Sequence, residues 1–437
     1  MKAFPCLLTA VWAGFAPSAL AQDEPIAFVG ARILPAKGDP IASGVLVVQG
    51  GKIVAVGPAD STAIPQGSRS VDAAGKVLIP GLVDTHSHIG GIGGADGSAP
   101  LQPDIRIYDS INVRDAGFRR AVAGGLTTLN IMPGSGHLLS GRTIYVKLRG
   151  GSTIEDLFLR DAEGKPMSGV KMANGTNSRR APPFPETRGK SAALVRAAFI
   201  KAREYRDKIA RAGGDPEKMP PRDIGLEALV DVLERKVIVH HHTHRHDDIL
   251  TVLRLAKEFD FRVVLHHVSD GWKVADEIAA AGVPCSIILV DSPGGKLEAV
   301  DIDFKTGAVL EKAGVLTAFH TDDWITDSRL FLRSPALAVR SGMSREGALR
   351  AVTLAGAAML DLEARVGSLE PGKDADFVVL SGDPFSVYTQ VLETWVEGKK
   401  VFDRSDPKDH LYAVGGFGAG LEGEPDWGCC DREDDER

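Results

Sequence analysis

The stretch that decides the fold is Pro80-Gly81-Leu82-Val83-Asp84-Thr85-His86-Ser87-His88, an apolar run that ends in two histidines. Residues two apart in a β-strand project to the same side, so the spacing directs the His86 and His88 imidazoles to one place at the end of a strand. Two histidines in this spacing are typical of a metal site, but they also occur as hydrogen-bonded caps of buried strands. The motif alone leaves both interpretations open.

Three further apolar runs end in the same kind of residue. Val237–His244 runs into four histidines, Arg262–His267 into two, and Val315–Asp323 into one histidine and two aspartates. Active sites of (β/α)8 barrels lie at the C-terminal ends of the strands, so these side chains are expected to meet at one rim. Neutral imidazoles and carboxylates held at rigid strand ends suit a divalent ion such as Zn²⁺.

The chain between residues 77 and 320 alternates short apolar runs with helix-like stretches. The eight strand candidates are Val77–Val83, Thr127–Met132, Ile144–Leu148, Gly169–Ala173, Val237–His242, Arg262–His267, Val283–Leu289 and Leu316–His320. Helical patterns cover Ser191–Ala212, Ile249–Phe259 and Val274–Ala281. This alternation predicts an α/β fold with a (β/α)8 TIM barrel, although a doubly wound sheet would alternate in the same way.

Both ends of the chain carry β-rich segments. Val45–Val48 and Ile53–Val56 flank Gly50-Gly51, which is a hairpin signal. Asp376–Leu380 and Thr394–Val401 predict another strand and another hairpin. Neither segment closes a core alone, so we expect one small β-sandwich built from both. The predicted organisation is a signal peptide (1–21), the N-terminal part of the sandwich (26–78), the barrel (79–362), the C-terminal part of the sandwich (363–405) and an acidic, Gly-rich tail (406–437).

The N-terminus predicts export. Lys2 precedes an apolar stretch that ends in Ala19-Leu20-Ala21, a small-x-small pattern typical of a secretory signal peptide cut after Ala21. A periplasmic or secreted protein is therefore expected. The apolar stretch is short for a membrane-spanning helix, and no membrane span is expected in the mature chain. Cys429 and Cys430 fall in the predicted tail, with no neighbouring residues that complete a metal site or a disulfide.

Composition excludes several classes of protein. The 437 residues are 43% hydrophobic and 25% charged, as in soluble globular proteins. The 51 lysines and arginines against 58 aspartates and glutamates give a net charge of −7, which argues against nucleic-acid binding. Four cysteines in this length exclude a disulfide scaffold.

The run Pro80–His88, together with Leu369-Glu370-Pro371-Gly372-Lys373-Asp374-Ala375-Asp376, resembles the amidohydrolase superfamily in its imidazolonepropionase-like and prolidase-like branch. The resemblance covers residues 26 to 405. It implies that residues 79–362 form a metal-dependent hydrolase barrel. It also implies a ligand set: His86 and His88 on the first strand, Lys171 on the fourth as a bridging ligand, His242 on the fifth, His267 on the sixth and Asp322 on the eighth. His242 is preferred to His240 and His244, and Asp322 to Asp323, from their places at the strand ends. His267 is preferred to His266, because the form His267-Val268-Ser269 is common among the enzymes of this resemblance.

The resemblance also implies the chemistry. One or two divalent ions, with zinc expected, activate a water that hydrolyses a C–N bond, and Asp322 acts as general base and then acid. The expected substrate is a small molecule or short peptide with an amide, peptide or cyclic amide bond, and a homo-oligomer is compatible with the sequence. His137 and Arg245 are candidate substrate-binding residues near the barrel mouth. Two alternatives remain: an ester or phosphoester hydrolase on the same scaffold, and a non-catalytic, exported metal-binding protein.

Overall fold

A computed structural model describes residues 24–92, 96–289, 296–323 and 325–415. The predicted signal peptide and the cysteines Cys429 and Cys430 lie outside these residues. Within them, none of the helices combines the length and the apolar character that a membrane span requires. The fold is of the mixed α/β type.

The strands are, in chain order, β1 (Ile26–Ile33), β2 (Ile41–Gln49), β3 (Lys52–Pro58), β4 (Arg69–Asp72), β5 (Val77–Pro80), β6 (Leu82–Ser87), β7 (Leu126–Ile131), β8 (Leu139–Arg142), β9 (Ile144–Lys147), β10 (Val170–Ala173), β11 (Val239–Thr243), β12 (Val263–His267), β13 (Cys285–Ile287), β14 (Thr317–Phe319), β15 (Phe377–Leu380), β16 (Val391–Val396) and β17 (Lys399–Asp403). The helices are α1 (Ala116–Ala123), α2 (Arg188–Ala212), α3 (Ile224–Leu233), α4 (His246–Phe259), α5 (Ala275–Ala281), α6 (Thr306–Lys312), α7 (Arg333–Arg340), α8 (Arg345–Ala351), α9 (Leu354–Ala358) and α10 (Pro407–Val414).

One sheet contains strands from both ends of the described chain. Its order is β17-β16-β15-β5-β1-β2-β3, with β4 parallel to β1. The hairpin predicted at Gly50-Gly51 is present, and both glycines have the positive φ that such a turn needs. β16 and β17 form the hairpin predicted near the C-terminal end. The core of this sheet includes Phe28, Phe377 and Trp395, whose ring centroids lie 4.9 to 5.5 Å apart.

The central strands form two further sheets, with the orders β14-β13-β12-β11-β10-β8 and β6-β7-β9. β10 to β14 are parallel neighbours, and β6 is parallel to β7. Their carboxyl ends therefore lie along one edge, where a bridge between Ser87 and Asp323 connects the end of β6 with the segment after β14. All these strands are almost entirely buried, as expected for parallel strands covered by helices.

Two strand predictions need correction. The run Val77–Val83 is not one strand, because it divides at Gly81 into β5, which joins the sheet of the chain ends, and β6. Ile144–Leu148 contains β9, but β9 runs antiparallel to β7, and β8 runs antiparallel to β10. The connection 132–138 is too short for the helical crossover that a parallel strand requires, so the chain reverses direction instead.

Gly81, the residue between β5 and β6, lies in close approach to Thr127 of β7. A Cβ atom there would lie 2.3 Å from Thr127 Oγ1 and 2.5 Å from Thr127 Cγ2, in a fully buried position. We expect Gly81→Ala to lower the free energy of unfolding by about 1–3 kcal/mol, because neither strand can move freely. Urea denaturation tests this against Gly189→Ala in α2, where a Cβ would meet no atom within 4 Å. Equal stability of the two variants would contradict the close approach.

Candidate metal centre

The first cluster consists of His86, His88 and Asp322. The Nε2 atoms of the two histidines lie 3.1 Å apart, and Asp322 Oδ1 lies 3.3 Å from His86 Nε2 and 3.0 Å from His88 Nε2. His88 Nδ1 is 2.8 Å from the carbonyl oxygen of Met132, which fixes the orientation of its ring. Three ligand atoms of this cluster lie within 4.8 Å of one another, as binding of a single cation requires.

The second cluster consists of His242, His244 and His267, whose ligand atoms also lie within 4.8 Å of one another. His320 connects the two clusters, because its Nε2 lies 3.2 Å from His267 Nδ1 and because it forms a third such group with His86 and His267. These are the three groups of this kind among the residues that the structure describes. The arrangement offers neighbouring places for two cations.

Lys171 lies beside the first cluster. Its side chain on β10 is fully buried, with Nζ 3.1 Å from His86 Nε2 and 3.2 Å from Met132 Sδ. Burial lowers the pKa of the Lys171 ammonium to about 7, although the charge of Asp322 acts in the opposite direction. A substantial share of the amine is therefore neutral near pH 7.

Asp84 holds the ends of β6 and β14 together. Its carboxylate accepts hydrogen bonds from Thr321 Oγ1 at 2.5 Å, from the Thr321 amide at 3.2 Å and from the His86 amide at 3.0 Å. The next residue, Asp322, has φ +49°, and His267 has φ +71°, both in the left-handed region that non-glycine residues rarely adopt. Strained backbone of this kind concentrates at functional sites, where the surrounding structure maintains it.

Five histidines of these groups are buried and neutral: His86, His242, His244, His267 and His320. Burial lowers the pKa of His86, His242 and His267 well below the usual value, and it lowers the pKa of His244 and His320 to about 3. Several of their ring nitrogens have no hydrogen-bond partner: His86 Nδ1, both nitrogens of His242, His244 Nε2 and His267 Nε2. Buried polar atoms are normally paired, so unpaired imidazole nitrogens in two clusters are suited to bind a cation.

The same burial predicts how stability depends on pH in the presence of a chelator. Four buried histidines have a pKa of 6.5 in the unfolded chain and about 3 in the folded chain: His240, His241, His244 and His320. Between about pH 3 and pH 6.5 the unfolded chain therefore binds a proton at each of them that the folded chain does not. Each then destabilises the fold by up to about 1.4 kcal/mol per pH unit below 6.5. Asp84 has the opposite effect on stability, because burial raises its pKa to about 7 in the folded chain, which then binds a proton that the unfolded chain does not. The effect of this one carboxyl is smaller than that of the four histidines together.

We therefore expect the free energy of unfolding to be largest above pH 6.5 and to fall steadily as the pH drops toward 4. Urea denaturation at pH 7.5, 6 and 5, with chelator present, measures the trend. Constant stability across this range would show that these histidines are solvated or charged in the folded chain.

A second layer of polar side chains lies beneath the clusters. His240 Nδ1 is 3.0 Å from His266 Nε2, and Tyr145 Oη is 2.8 Å from His240 Nε2. Ser286 Oγ lies 2.9 Å from His320 Nδ1, which leaves Nε2 of that ring to face His267. His240 and His266 thus bond to each other rather than enter either cluster.

The structure brings six of the sequence-predicted site residues together and leaves two outside the clusters. The six are His86, His88, Lys171, His242, His267 and Asp322. His137 is buried and bonds through Nε2 to the carbonyl oxygen of Asp96, with its ring 6.0 Å from that of Phe184. Arg245 donates two hydrogen bonds of 2.6 Å to Asp247. Neither joins the metal-binding groups.

Sequence reasoning treated His244 only as an alternative to His242 and gave no ligand role to His320. His244 follows His242 at the two-residue spacing that defines one face, and His320 directly follows β14. Both signals were present in the sequence. The preference for His242 over His244 separated two residues that belong to one cluster.

Comparison with known proteins places the chain in a family. A model of the Amidohydro_3 amidohydrolase family matches residues 235–402. An amidohydrolase structure from Thermotoga maritima is 33% identical, with a TM-score of 0.80, and the match covers 87% of this chain and 100% of that one. An imidazolonepropionase from Symbiobacterium thermophilum is 27% identical over 380 residues, which are 78% of this chain and 84% of that protein.

A longer relative is the amidohydrolase tasK from Hapsidospora irregularis, 27% identical over 370 residues. The match covers 78% of this chain but 38% of tasK, so the chain spans well under half of that protein. With the full-length similarity to the Thermotoga maritima protein, the chain belongs to the amidohydrolase superfamily, whose members hydrolyse carbon–nitrogen bonds.

Proposed function

We propose that this chain is an exported, metal-dependent amidohydrolase that hydrolyses the C–N bond of an amide, a peptide or a cyclic amide. The observation that carries the proposal is a pair of neighbouring clusters: the Nε2 atoms of His86 and His88 converge on the Asp322 carboxylate, and the second cluster holds buried imidazole nitrogens without hydrogen-bond partners. The substrate is a small molecule or a short peptide. One or two zinc ions are the proposed cofactor, because neutral imidazole and carboxylate are ligands that zinc prefers.

The residues present fit such ions. His86, His88 and Asp322 would hold one, and His242, His244 and His267 another. Lys171 Nζ lies beside His86, and its neutral amine can combine with carbon dioxide to give a carbamate and a proton. The carbamate oxygens would then serve as a ligand shared by two ions, which is the role proposed for Lys171. A divalent cation bound here supplies Lewis-acid polarisation of a carbonyl and makes water more acidic.

Asp322 is the residue that moves the proton. Burial alone would raise the pKa of its carboxyl, but the hydrogen bond from His88 holds the pKa well below its usual range. The side chain is therefore a carboxylate at neutral pH and can accept a proton from the attacking water. It then passes this proton to the nitrogen of the leaving group, so that one residue is general base and then general acid.

We further propose that the central sheets close into a (β/α)8-type barrel and that the chain ends form a β-sandwich. The bridge between Ser87 and Asp323 supports closure between β6 and β14, and β8 with β9 would fill the third position of the ring. The shared sheet of β1 to β5 and β15 to β17 supports the sandwich. Export rests on the N-terminal sequence pattern, outside the described residues.

A substrate panel tests the proposed reaction. The zinc-loaded chain is incubated with dipeptides, N-acyl amino acids and cyclic amides, alongside carboxylic esters and phosphoesters. We expect the chain to hydrolyse one or more of the dipeptides, N-acyl amino acids and cyclic amides. A chelator should abolish this activity, and added zinc should restore it. Turnover of esters or phosphoesters alone would replace the proposed reaction with the alternative one, and zinc binding without any turnover would favour a binding protein.

A further inference from the structure

Met132 contacts two of the proposed metal ligands through different atoms. It directly follows β7, and its amide donates a hydrogen bond of 3.1 Å to the carbonyl oxygen of Ser87 at the end of β6. Its own carbonyl oxygen accepts a hydrogen bond of 2.8 Å from His88 Nδ1, and its Sδ lies 3.2 Å from Lys171 Nζ. The Met132 side chain is fully buried, so solvent does not reach the sulfur.

The carbonyl contact determines which nitrogen of His88 is available. A carbonyl oxygen only accepts hydrogen bonds, so His88 Nδ1 carries a proton in this contact and Nε2 of the neutral ring keeps its lone pair. This Nε2 is the atom that lies 3.1 Å from His86 Nε2 and 3.0 Å from Asp322 Oδ1. Met132 therefore directs the ligand atom of His88 into the first cluster, as partners behind ligand histidines do in protein metal sites.

The sulfur contact acts on Lys171. Among the described residues, Nζ has two hydrogen-bond acceptors, His86 Nε2 at 3.1 Å and Met132 Sδ at 3.2 Å. The same His86 Nε2 faces His88 and Asp322 in the first cluster, so its lone pair would be used to bind a cation. A carbamate on Lys171 keeps one N–H, and Met132 Sδ is the acceptor that then remains for it.

We propose that Met132 is a positioning residue that orients His88 and Lys171 together, and that its thioether accepts the hydrogen bond of the lysine carbamate. The inference rests on the proposed function and adds a residue to it. When the carbamate forms, Lys171 Nζ makes one N–C bond to carbon dioxide and releases one proton to the solvent. Because a thioether is uncharged and accepts hydrogen bonds weakly, it orients Nζ without the ion pair that a carboxylate would form there.

An NMR titration of the zinc-loaded chain with ¹³C-labelled bicarbonate, the source of carbon dioxide, tests the proposal without relying on turnover. The carbamate resonance is identified by its absence from Lys171→Ala. Met132→Leu keeps the volume of the side chain but loses the acceptor. We expect it to need about 5-fold more bicarbonate than the wild type for half of the maximal signal, the effect of one lost hydrogen bond. Met132→Gln offers an acceptor oxygen again and should recover most of this loss.

Met172→Leu is the matched control. Met172 is the residue after Lys171 on β10 and is also fully buried, but successive residues of a strand face opposite sides, and its side chain packs in the hydrophobic core. Its titration should match that of the wild type. If Met172→Leu shifts the titration as much as Met132→Leu, the effect is a general loss of packing, and the assignment is overturned.

The remaining outcomes separate this inference from the proposed function. If the wild type forms the carbamate and Met132→Leu matches it, the sulfur does not position Lys171, while the metal site stands. Equal shifts in Met132→Leu and Met132→Gln would assign the effect to side-chain shape and would also overturn the inference. If the wild type binds zinc but gives no carbamate resonance, the shared ligand and the inference fail together, while zinc-dependent hydrolysis stands. If the wild type binds no zinc, the proposed function and the inference both fail.

Discussion

Asp322→Asn is expected to lower kcat by about 10²–10⁴-fold on any substrate of the panel, the range that general acid–base catalysis contributes. The asparagine keeps the shape of the side chain and an oxygen that faces His86 and His88. It has no basic carboxylate to accept the proton of water, and the leaving nitrogen would then depart unprotonated. The measurement is steady-state kcat and KM of the zinc-loaded variant, with metal content determined on the same sample.

Asp323→Asn provides the matched control. Asp323 is the neighbouring residue and is buried, but its carboxylate accepts a hydrogen bond from Ser328 and lies outside all three metal-binding groups. Its kcat should stay close to that of the wild type. A fully active Asp322→Asn variant with unchanged zinc content would remove Asp322 from the proton transfer.

The second large effect is expected from His267→Ala. His267 belongs to two of the three metal-binding groups, so its loss affects both the second cluster and the link through His320. A ligand at about 100 times its dissociation constant stabilises a protein by about 2.7 kcal/mol. We expect zinc to raise the Tm of the wild type clearly and to raise that of His267→Ala little or not at all, with activity lost in parallel.

His246→Ala controls for the loss of an imidazole near the same rim. His246 is half-exposed, and its Nδ1 lies 3.1 Å from Asp270 rather than in either cluster. Its zinc-induced rise in Tm should match that of the wild type. If zinc stabilises His267→Ala as much as His246→Ala, the second cluster does not bind the metal.

Much of the fold follows from local sequence patterns. The hairpins at Gly50-Gly51 and before β17 depend on turn residues and short-range pairing, and both were predicted. The direction of β9 was not predictable from its apolar run, because parallel and antiparallel buried strands have the same composition. The division of Val77–Val83 at Gly81 was missed for a similar reason: continuous hydrophobicity does not show where a chain passes from one sheet to another.

The site shows the same division between local and long-range information. Residues at strand ends, such as His86, His88 and Asp322, converge because strand direction alone determines where they lie. The environments of His137 and Arg245 depend on particular partners, Asp96 and Asp247, which no strand pattern specifies.

Metal content of the full chain, purified without chelator, tests the central claim most directly. The wild type should carry one or two zinc ions per chain, and His242→Ala should carry fewer. If Lys171 provides a shared ligand, Lys171→Ala should lose metal as well. Absence of bound metal in the wild type, even after dialysis against zinc, would contradict the proposed hydrolase mechanism.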